Sequence, residues 1–298
     1  MSIELRTMRY VIAIAETGGF QRAAERLHMS QPPLSRQIRE LERELGVALF
    51  HRRPTRLTAE GHIFVKHARA VLANVDRALA ETRAAAGAHA GVVRIGAGPM
   101  SGSTDIPRIV AAVNRRYPDI TLEVVEMWDT ELASALIAGD VDIAIGWHLG
   151  IDGEPIRRVL RREPYAVVVG DGHRLADRPR VALAELRGET FRFLARRFAP
   201  NYYDAVLRVV GSTGEDFTVW ENPLPGLRYF GTLGAGGFNL LPTSISRSLP
   251  AGIRCLQIAD DLPPAELVMA WRSGAGQAVE AVASVATKAA RRPPSAAL

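Results

Sequence analysis

The chain has 298 residues, of which 47% are hydrophobic and 23% are charged, and this length predicts two domains with a connector. The composition excludes a disordered, fibrous or collagen-like protein, and no apolar run reaches the roughly 18 residues of a membrane span. A single cysteine, Cys255, excludes an internal disulfide and a cysteine-based zinc site, and we expect it to be a small buried apolar group. Because residues 1–6 lack the basic region of a secretory signal, we expect a cytoplasmic protein.

Positive charge is concentrated in the first quarter of the chain. Residues 1–70 contain 12 Lys or Arg and 7 Asp or Glu, whereas the remaining residues contain 25 of each. The formal net charge of +5 is therefore confined to this segment. Such a segment attracts the phosphates of a polyanion. A solvated surface can carry the same excess, so charge alone does not identify the partner.

Three short helices are predicted within residues 5–45 from apolar side chains at helical spacing. Ser30 predicts the N-cap of the third helix, and Pro32 and Pro33 fit its first turn. The tight connection between the second and third helices is typical of a helix-turn-helix. A small helical bundle with a charged face would give the same pattern.

The polar face of the third helix carries side chains suited to DNA. Gln can pair with adenine and Arg with guanine in the major groove, and Arg can also bind phosphate. Because Glu40, Glu42 and Glu44 would repel phosphate at the far end, we expect the DNA at the Gln31 end. A basic stretch at 52–58 predicts a hairpin that lies along the phosphate backbone. The predicted DNA-binding residues are Ser30, Gln31, Pro32, Ser35, Arg36, Arg39, Arg52, Arg53 and Arg56.

Two segments, residues 20–38 (FQRAAERLHMSQPPLSRQI) and 41–50 (LERELGVALF), resemble the winged helix-turn-helix of the LysR-type transcriptional regulators. Residues 57–61 (LTAEG) resemble the next signature of that family. The resemblance implies a DNA-binding domain at 1–58, followed by a linker helix that dimerises. It also implies that two recognition helices bind the two halves of an interrupted palindrome in promoter double-stranded DNA, and that RNA polymerase is a further contact.

Thr58 is the predicted N-cap of another helix, and a heptad pattern follows it. Its seam consists of Phe64, Ala68, Val71, Val75, Ala78 and Thr82, with Leu72 and Leu79 alongside. The pattern predicts a helix pair between two chains and hence a homodimer or homotetramer, although one helix packed on its own domain would also fit. We place this linker at 59–90, and its Ala- and Gly-rich end at 84–91 predicts a hinge.

From Val92 onwards, strands alternate with helices, which predicts an α/β region with a largely parallel sheet. Residues 92–96 (VVRIG), 117–120 (YPDI), 139–145 (GDVDIAI) and 233–242 (LGAGGFNLLP) resemble the LysR-type effector-binding domain, which is similar in fold to the type II periplasmic binding proteins. The resemblance implies an effector domain at 91–298. Its first lobe would contain residues 92–163 and 266–298, and its second lobe residues 164–265. The fold class is therefore α plus α/β.

Ligands of open α/β sheets bind beyond the carboxyl ends of strands, and the effector cleft of the family lies in the same loops. The tryptophans and Met100 suggest a partly apolar, aromatic ligand, although each Trp would equally fill a loop core. Arg197 and the helix N-terminus near Ser103 suggest a carboxylate on it. The predicted effector-binding residues are Met100, Ser101, Ser103, Trp128, Asp129, Trp147, His148, Arg197, Phe198 and Asn222.

No catalytic or metal site is predicted. Residues 96–102 (GAGPMSG) follow a strand as a dinucleotide-binding turn does, with Glu126 as the ribose partner, but Ser101 replaces the third glycine. Two alternatives stay open: an NAD(P)-dependent oxidoreductase with an appended helical domain, and a structural DNA-bundling protein. We expect instead a sequence-specific transcription regulator, which is not an enzyme, has no cofactor and is controlled by a small-molecule effector between the C-terminal lobes.

Overall fold

The computed structural model describes residues 3–85, 91–151, 153, 155–222, 233 and 236–291. Most of the predicted hinge at 84–91 and the tail at 292–298 lie outside the described residues. The chain divides into two compact units, one formed mainly by residues 1–83 and the other mainly by residues 84–298. Within the described ranges, no helix combines the length and the apolar character that crossing a membrane requires.

The N-terminal unit is a three-helix domain with a hairpin and a long helix. Its elements are α1 (Leu5–Thr17), α2 (Phe20–Arg26), α3 (Gln31–Leu45), β1 (Phe50–Arg52), β2 (Thr55–Leu57) and α4 (Ala59–Ala85). The apolar stripes of the first three helices form one buried core with Phe50 and Val65. Gly18 and Gly46 end α1 and α3 in the left-handed conformation that suits glycine, with φ of 65° and 72°. The predicted helix-turn-helix is confirmed.

The basic hairpin of β1 and β2 is fastened to α3 by Glu42. The carboxylate of Glu42 accepts hydrogen bonds from the backbone N–H groups of Leu49 and Phe50, at 2.9 and 3.2 Å. It also forms an ion pair with Arg52. The interpretation of Glu42 as a charge that repels phosphate is therefore wrong, because its side chain is only 12% exposed and serves as an internal acceptor.

The start of α4 is fixed by Thr58 and Gly61. The Thr58 hydroxyl accepts a hydrogen bond from the Gly61 N–H at 2.9 Å and donates one to the Ala48 carbonyl at 2.7 Å, so the predicted cap is confirmed. A Cβ atom at Gly61 would lie 2.1 Å from the Leu49 carbonyl oxygen. Only glycine therefore allows the helix to approach the hairpin this closely.

In its described residues the C-terminal unit has 11 strands, β3 to β13, which form two groups. Its elements are β3 (Gly91–Ala97), α5 (Pro99–Thr104), α6 (Ile106–Arg116), β4 (Ile120–Glu126), α7 (Asp129–Ala138), β5 (Ile143–Trp147), β6 (Ile156–Glu163), β7 (Tyr165–Gly170), β8 (Arg180–Val181), β9 (Thr190–Leu194), α8 (Pro200–Gly211), β10 (Thr218–Asn222), β11 (Asn239–Pro242), β12 (Ile253–Ile258), β13 (Ala265–Trp271) and α9 (Gln277–Ala290), with 3-10 helices at Leu183–Leu186 and Thr243–Ser248. The first lobe holds a five-stranded sheet in the order β4-β3-β5-β13-β6. The second lobe holds the sheet β11-β7-β12-β8 and the pair β10-β9.

The sheets are mixed, so the prediction of a largely parallel sheet is wrong: of the eight strand pairings among the described residues of this unit, four are parallel and four are antiparallel. Strand β3 pairs in parallel with β4 and β5, which are connected through helices. Strand β13 runs antiparallel to β5 and β6, and β7 runs antiparallel to β11 and β12. The chain crosses into the second lobe after β6 and returns at β13, so β13 enters the first sheet without a helical crossover and runs antiparallel to its neighbours.

Cys255 lies exposed on β12, so the prediction that it is buried is also wrong. Side chains alternate between the two faces of a strand. On β12 the neighbouring Leu256 occupies the inward face and is buried. Cys255 therefore faces outward.

Candidate DNA-binding surface and effector cleft

The N-terminal end of α3 presents its polar face to solvent. Gln31, Pro32, Arg36 and Arg39 are exposed, and Ser35 is half-buried. The opposite face of the helix is buried in the core of the domain. The structure thus places five of the predicted DNA-binding residues on one face of α3.

Ser30 occupies the predicted N-cap position, in extended conformation, but its hydroxyl makes no capping hydrogen bond. A cap oxygen accepts from the N–H of the second or third helical residue. Those residues are Pro32 and Pro33, which have no N–H. The capping hydrogen bond expected of Ser30 is therefore absent, and its exposed hydroxyl is available to a phosphate oxygen.

We expect Ser30→Ala to weaken DNA binding severalfold while leaving the melting temperature unchanged, because a phosphate hydrogen bond is lost and no cap is lost. Thr58→Ala is the matched control, since it removes a cap that is formed and should cost about 1 kcal/mol of stability. Thermal unfolding and gel shifts at one fixed salt concentration measure the two effects. Equal destabilisation by both substitutions would contradict this assignment.

The three arginines of the hairpin differ in their surroundings. The guanidinium carbon of Arg52 lies 4.9 Å from the centre of the Phe20 ring, and the same group pairs with Glu42. Arg52 therefore supports the hairpin, although its side chain is still 42% exposed. Arg53 and Arg56 are also exposed.

A cavity of about 30 Å³ lies between the two lobes of the C-terminal unit. Its lining comes from the loops after β3, β4 and β5 in the first lobe and from β9 and α8 in the second. The lining residues are Gly98, Pro99, Met100, Ser101, Trp128, Asp129, Trp147, Leu194, Ala199 and Tyr202. Predicted members of this set are Met100, Ser101, Trp128, Asp129 and Trp147. The second-lobe wall, Gly98 and Pro99 were not predicted from the sequence.

Trp128 closes the cavity from the first lobe against Phe198 of the second. The ring centres are 4.9 Å apart and the planes are inclined by 36°. Phe198 was predicted to bind the effector, and the structure makes it a partner of Trp128 instead of part of the lining. This aromatic contact joins the lobes.

Four other predicted residues also lie outside the lining: Ser103, His148, Arg197 and Asn222. Ser103 is exposed on α5 and donates a hydrogen bond to the Met100 carbonyl at 3.2 Å. The exposed Arg197 has its guanidinium carbon 4.6 Å from the centre of the Phe198 ring. Asn222 is buried at the end of β10. The structure therefore does not assemble the predicted carboxylate site from Ser103 and Arg197.

His148 belongs to a hydrogen-bonded cluster behind the cavity. Its Nε2 atom lies 2.7 Å from the Tyr165 hydroxyl, and its backbone N–H donates to the Glu266 carbonyl at 2.7 Å. Its φ of 48° is left-handed. Burial lowers the pKa of His148, although Glu266 acts in the opposite direction. These contacts give the residue a structural role.

Two polar atoms of the lining make no hydrogen bond with the described residues: Oδ2 of Asp129 and Nε1 of Trp147. Asp129 is 7% exposed and Trp147 is 3% exposed. Burial raises the pKa of Asp129 to about 7. The lining therefore contains a carboxyl group that keeps its proton below neutral pH.

A buried ionic cluster connects the lobes beside the cavity. Arg161 donates to Asp105 at 2.6 Å, to Glu163 at 2.7 Å and to the Ser244 hydroxyl at 3.1 Å. The Ser244 N–H donates to the second oxygen of Glu163 at 2.8 Å. Burial lowers the pKa of Arg161, but the two carboxylates outweigh that effect and raise it above its usual value. The sequence analysis did not identify this cluster.

The turn at 96–102 does not have the arrangement of a dinucleotide-binding loop. The Ser101 hydroxyl is buried within hydrogen-bond distance of the Gly98 and Ile145 carbonyls, at 2.9 and 3.2 Å. A Cβ atom at Gly96 would lie 2.7 Å from Leu132 of α7, so this glycine serves helix packing. In the part of the chain that the structure describes, no group of three or more His, Cys, Asp or Glu side chains is placed to hold a metal ion.

Two family models match the chain. The bacterial regulatory helix-turn-helix protein model of the lysR family matches residues 5–62, and the LysR substrate binding domain model matches residues 86–291. Among curated relatives, the uncharacterized HTH-type transcriptional regulator YnfL of Escherichia coli (strain K12) is 33% identical over 91% of this chain and 93% of its own. The HTH-type transcriptional regulator CatR of Pseudomonas putida is 33% identical over 91% of this chain and 94% of its own.

Solved structures show the same fold. The LysR family transcriptional regulator CbnR superposes with a TM-score of 0.77 at 23% identity, covering 97% of this chain and 100% of that one. CbnR bound to its target DNA gives a TM-score of 0.76 at 24% identity, covering 96% and 100%. Since the relatives are regulators, the oxidoreductase alternative is wrong. The chain belongs to the LysR family of transcriptional regulators, with a DNA-binding helix-turn-helix domain followed by an effector-binding domain.

Proposed function

We propose that the chain acts as a homodimer or homotetramer in the cytoplasm, that its paired α3 helices read an interrupted palindrome in promoter DNA, and that it catalyses no reaction. The observation that carries this proposal is the exposed Gln31 end of α3, in a domain that also carries an exposed basic hairpin. An exposed helix tip of this kind fits the major groove. We keep the predicted boundaries of 1–58 for this domain, 59–90 for the linker and 91–298 for the effector domain.

We assign two kinds of DNA contact to this surface. Gln31, Ser35 and Arg36 are placed to reach base edges, because they lie in the first two turns of α3. Ser30, Arg39, Arg53 and Arg56 are assigned to phosphates, which position the domain without specifying a sequence. Pro32 is exposed in the first turn of the helix. Arg52 contributes by supporting the hairpin through Glu42.

The proposed dimer rests on the apolar seam of α4. At its N-terminal end the seam packs into the domain itself, where Phe64 contacts the core and Ala68 is buried. Farther along the helix, Val71 and Leu79 are exposed, at 38% and 51%. A heptad seam that changes from buried to exposed fits a second copy of the same helix. Such a dimer would present two copies of α3 to two half-sites.

We expect Leu79→Asp to produce a monomer and to weaken binding to a palindromic site by about 100-fold or more, because the second half-site contact is no longer intramolecular. Ala73→Asp is the control, since it adds the same charge on the face of α4 opposite Val71, Val75 and Ala78. Sedimentation and gel shifts with the full chain measure both effects. A Leu79→Asp protein that stays dimeric and binds normally would contradict the proposed seam.

We propose that an effector enters the cavity between the lobes and binds one arrangement of the lobes better than another. Only such a difference in affinity can change the equilibrium between regulatory states. The Trp128–Phe198 contact supports this, because it joins the lobes at the cavity itself. We further propose that one of these states favours contact with RNA polymerase.

A further inference from the structure

The cavity between the lobes carries two hydrogen-bonding groups that no described residue satisfies. The Nε1 atom of Trp147 donates no hydrogen bond and Oδ2 of Asp129 accepts none from the described residues. Both side chains are more than nine-tenths buried, and both line this cavity. Polar groups that are buried in proteins are normally paired, so two unpaired groups in one cavity indicate a ligand that pairs with them.

The remainder of the lining offers no charge to a ligand. Apart from Asp129, the lining side chains that carry a polar group are Ser101, Trp128, Trp147 and Tyr202, and none is a Lys, Arg or His. The two arginines of the neighbouring loop are engaged elsewhere. Arg196 is paired with Asp204 at 2.7 Å, and Arg197 lies over Phe198. An anionic ligand would therefore meet a carboxyl group and no cation.

The surroundings of Asp129 favour the neutral form of its carboxyl group. Its burial raises its pKa to about 7, so it holds a proton at slightly acidic pH. Glu131, on the same helix, has a carboxylate that accepts a hydrogen bond from the Trp128 N–H at 2.9 Å. It is not a cation, so it does not favour ionisation of Asp129.

We propose that the effector is an uncharged aromatic molecule with one amide or hydroxyl group, which accepts a hydrogen bond from Trp147 and exchanges one with the carboxyl group of Asp129. The ring of this molecule would pack among Met100, Trp128 and Tyr202. The inference rests on the proposed function, since it names the class of effector for the same cleft.

Binding of such a molecule requires the cavity to widen. Its volume of about 30 Å³ has room for only one or two water molecules. A ring that enters must separate Trp128 from Phe198, which belong to opposite lobes. Occupancy of the cavity is therefore coupled to the arrangement of the lobes.

Three probes with the same ring and different charge test the proposal: benzamide, benzoate and benzylamine. Calorimetric titration of the full chain at pH 6 should show benzamide binding at least about 10-fold more tightly than either charged probe. Between pH 6 and pH 8, the affinity for benzoate should fall and the affinity for benzylamine should rise as Asp129 ionises, whereas the affinity for benzamide should change little. Tighter binding of a charged probe at pH 6, or no heat with any probe at millimolar concentration, would overturn the proposal.

A pair of tryptophan variants locates the binding. Trp147→Phe keeps an aromatic ring and removes the N–H donor, and we expect it to weaken benzamide at least about 10-fold. Trp220→Phe on β10 is the control, because Trp220 lies outside the lining, and it should leave benzamide binding unchanged. Equal affinity in the wild type and Trp147→Phe would refute the role of Trp147. Sequence-specific DNA binding, measured in parallel, tests the proposed function separately, because it does not depend on which probe binds.

Discussion

Arg161→Met should lower the free energy of unfolding of the effector domain by about 3–5 kcal/mol, the largest loss of stability that we expect from a single substitution. The side chains of Asp105 and Glu163 are only 1% and 8% exposed, and Arg161 is the cation bonded to both. Methionine preserves the length of the side chain but leaves two buried carboxylates without a counter-ion. Ser244 of the second lobe also loses a hydrogen bond.

Urea unfolding followed by tryptophan fluorescence measures this loss, because the Arg161 guanidinium carbon lies 5.6 Å from the centre of the Trp147 ring. Arg162→Met is a control on the same strand. Arg162 pairs with Glu266 at 2.8 Å, but its side chain is 61% exposed, so we expect a loss below about 1 kcal/mol. Similar losses from both substitutions would show that the cluster does not have this role.

The N-terminal domain could be predicted closely from the sequence because its structure is local. The apolar spacing of each helix and the tight turn before Ser30 are set by residues a few positions apart. The hydrogen-bond partners of the polar side chains in this domain could not be predicted. Glu42 looks like a solvated charge in the sequence, and only the fold brings the backbone of Leu49 and Phe50 to it.

The effector cleft could be predicted in part. The rule about the carboxyl ends of strands selects the right loops, and it therefore located Trp128, Asp129 and Trp147. It does not say which way each side chain of a loop points, so His148 was included although it bonds to Tyr165 behind the cavity. It also does not identify the opposite wall. Tyr202 lies on α8, a helix that the sequence analysis did not predict.

The buried cluster of Arg161 had no recognisable signal in the sequence. Arg161 lies in β6, whose sequence IRRVLRRE contains four arginines and is typical of a solvated surface. Its partner Asp105 is 56 positions away. Burial of one arginine among four depends on that distant carboxylate, and the pattern of β6 alone does not distinguish Arg161 from Arg162.

Arg36→Ala should reduce the affinity for the specific DNA site by about 10- to 100-fold without changing stability, because each good contact to a base contributes about 1–3 kcal/mol. Arg36 is exposed on the second turn of α3, where its replacement disturbs no buried side chain. Arg43→Ala is the control. It lies in the last turn of the same helix and pairs with Glu40, so we expect it to leave the sequence preference unchanged.

The most direct test of the account is selection of bound sequences from a random DNA library, with the full-length wild type and Arg36→Ala at the same salt concentration. We predict that the wild type enriches an interrupted palindrome and that Arg36→Ala loses the preference at one symmetry-related base position in each half-site. Enrichment of the same palindrome by both proteins, or of none by the wild type, would contradict the claim that the Gln31 end of α3 reads the sequence.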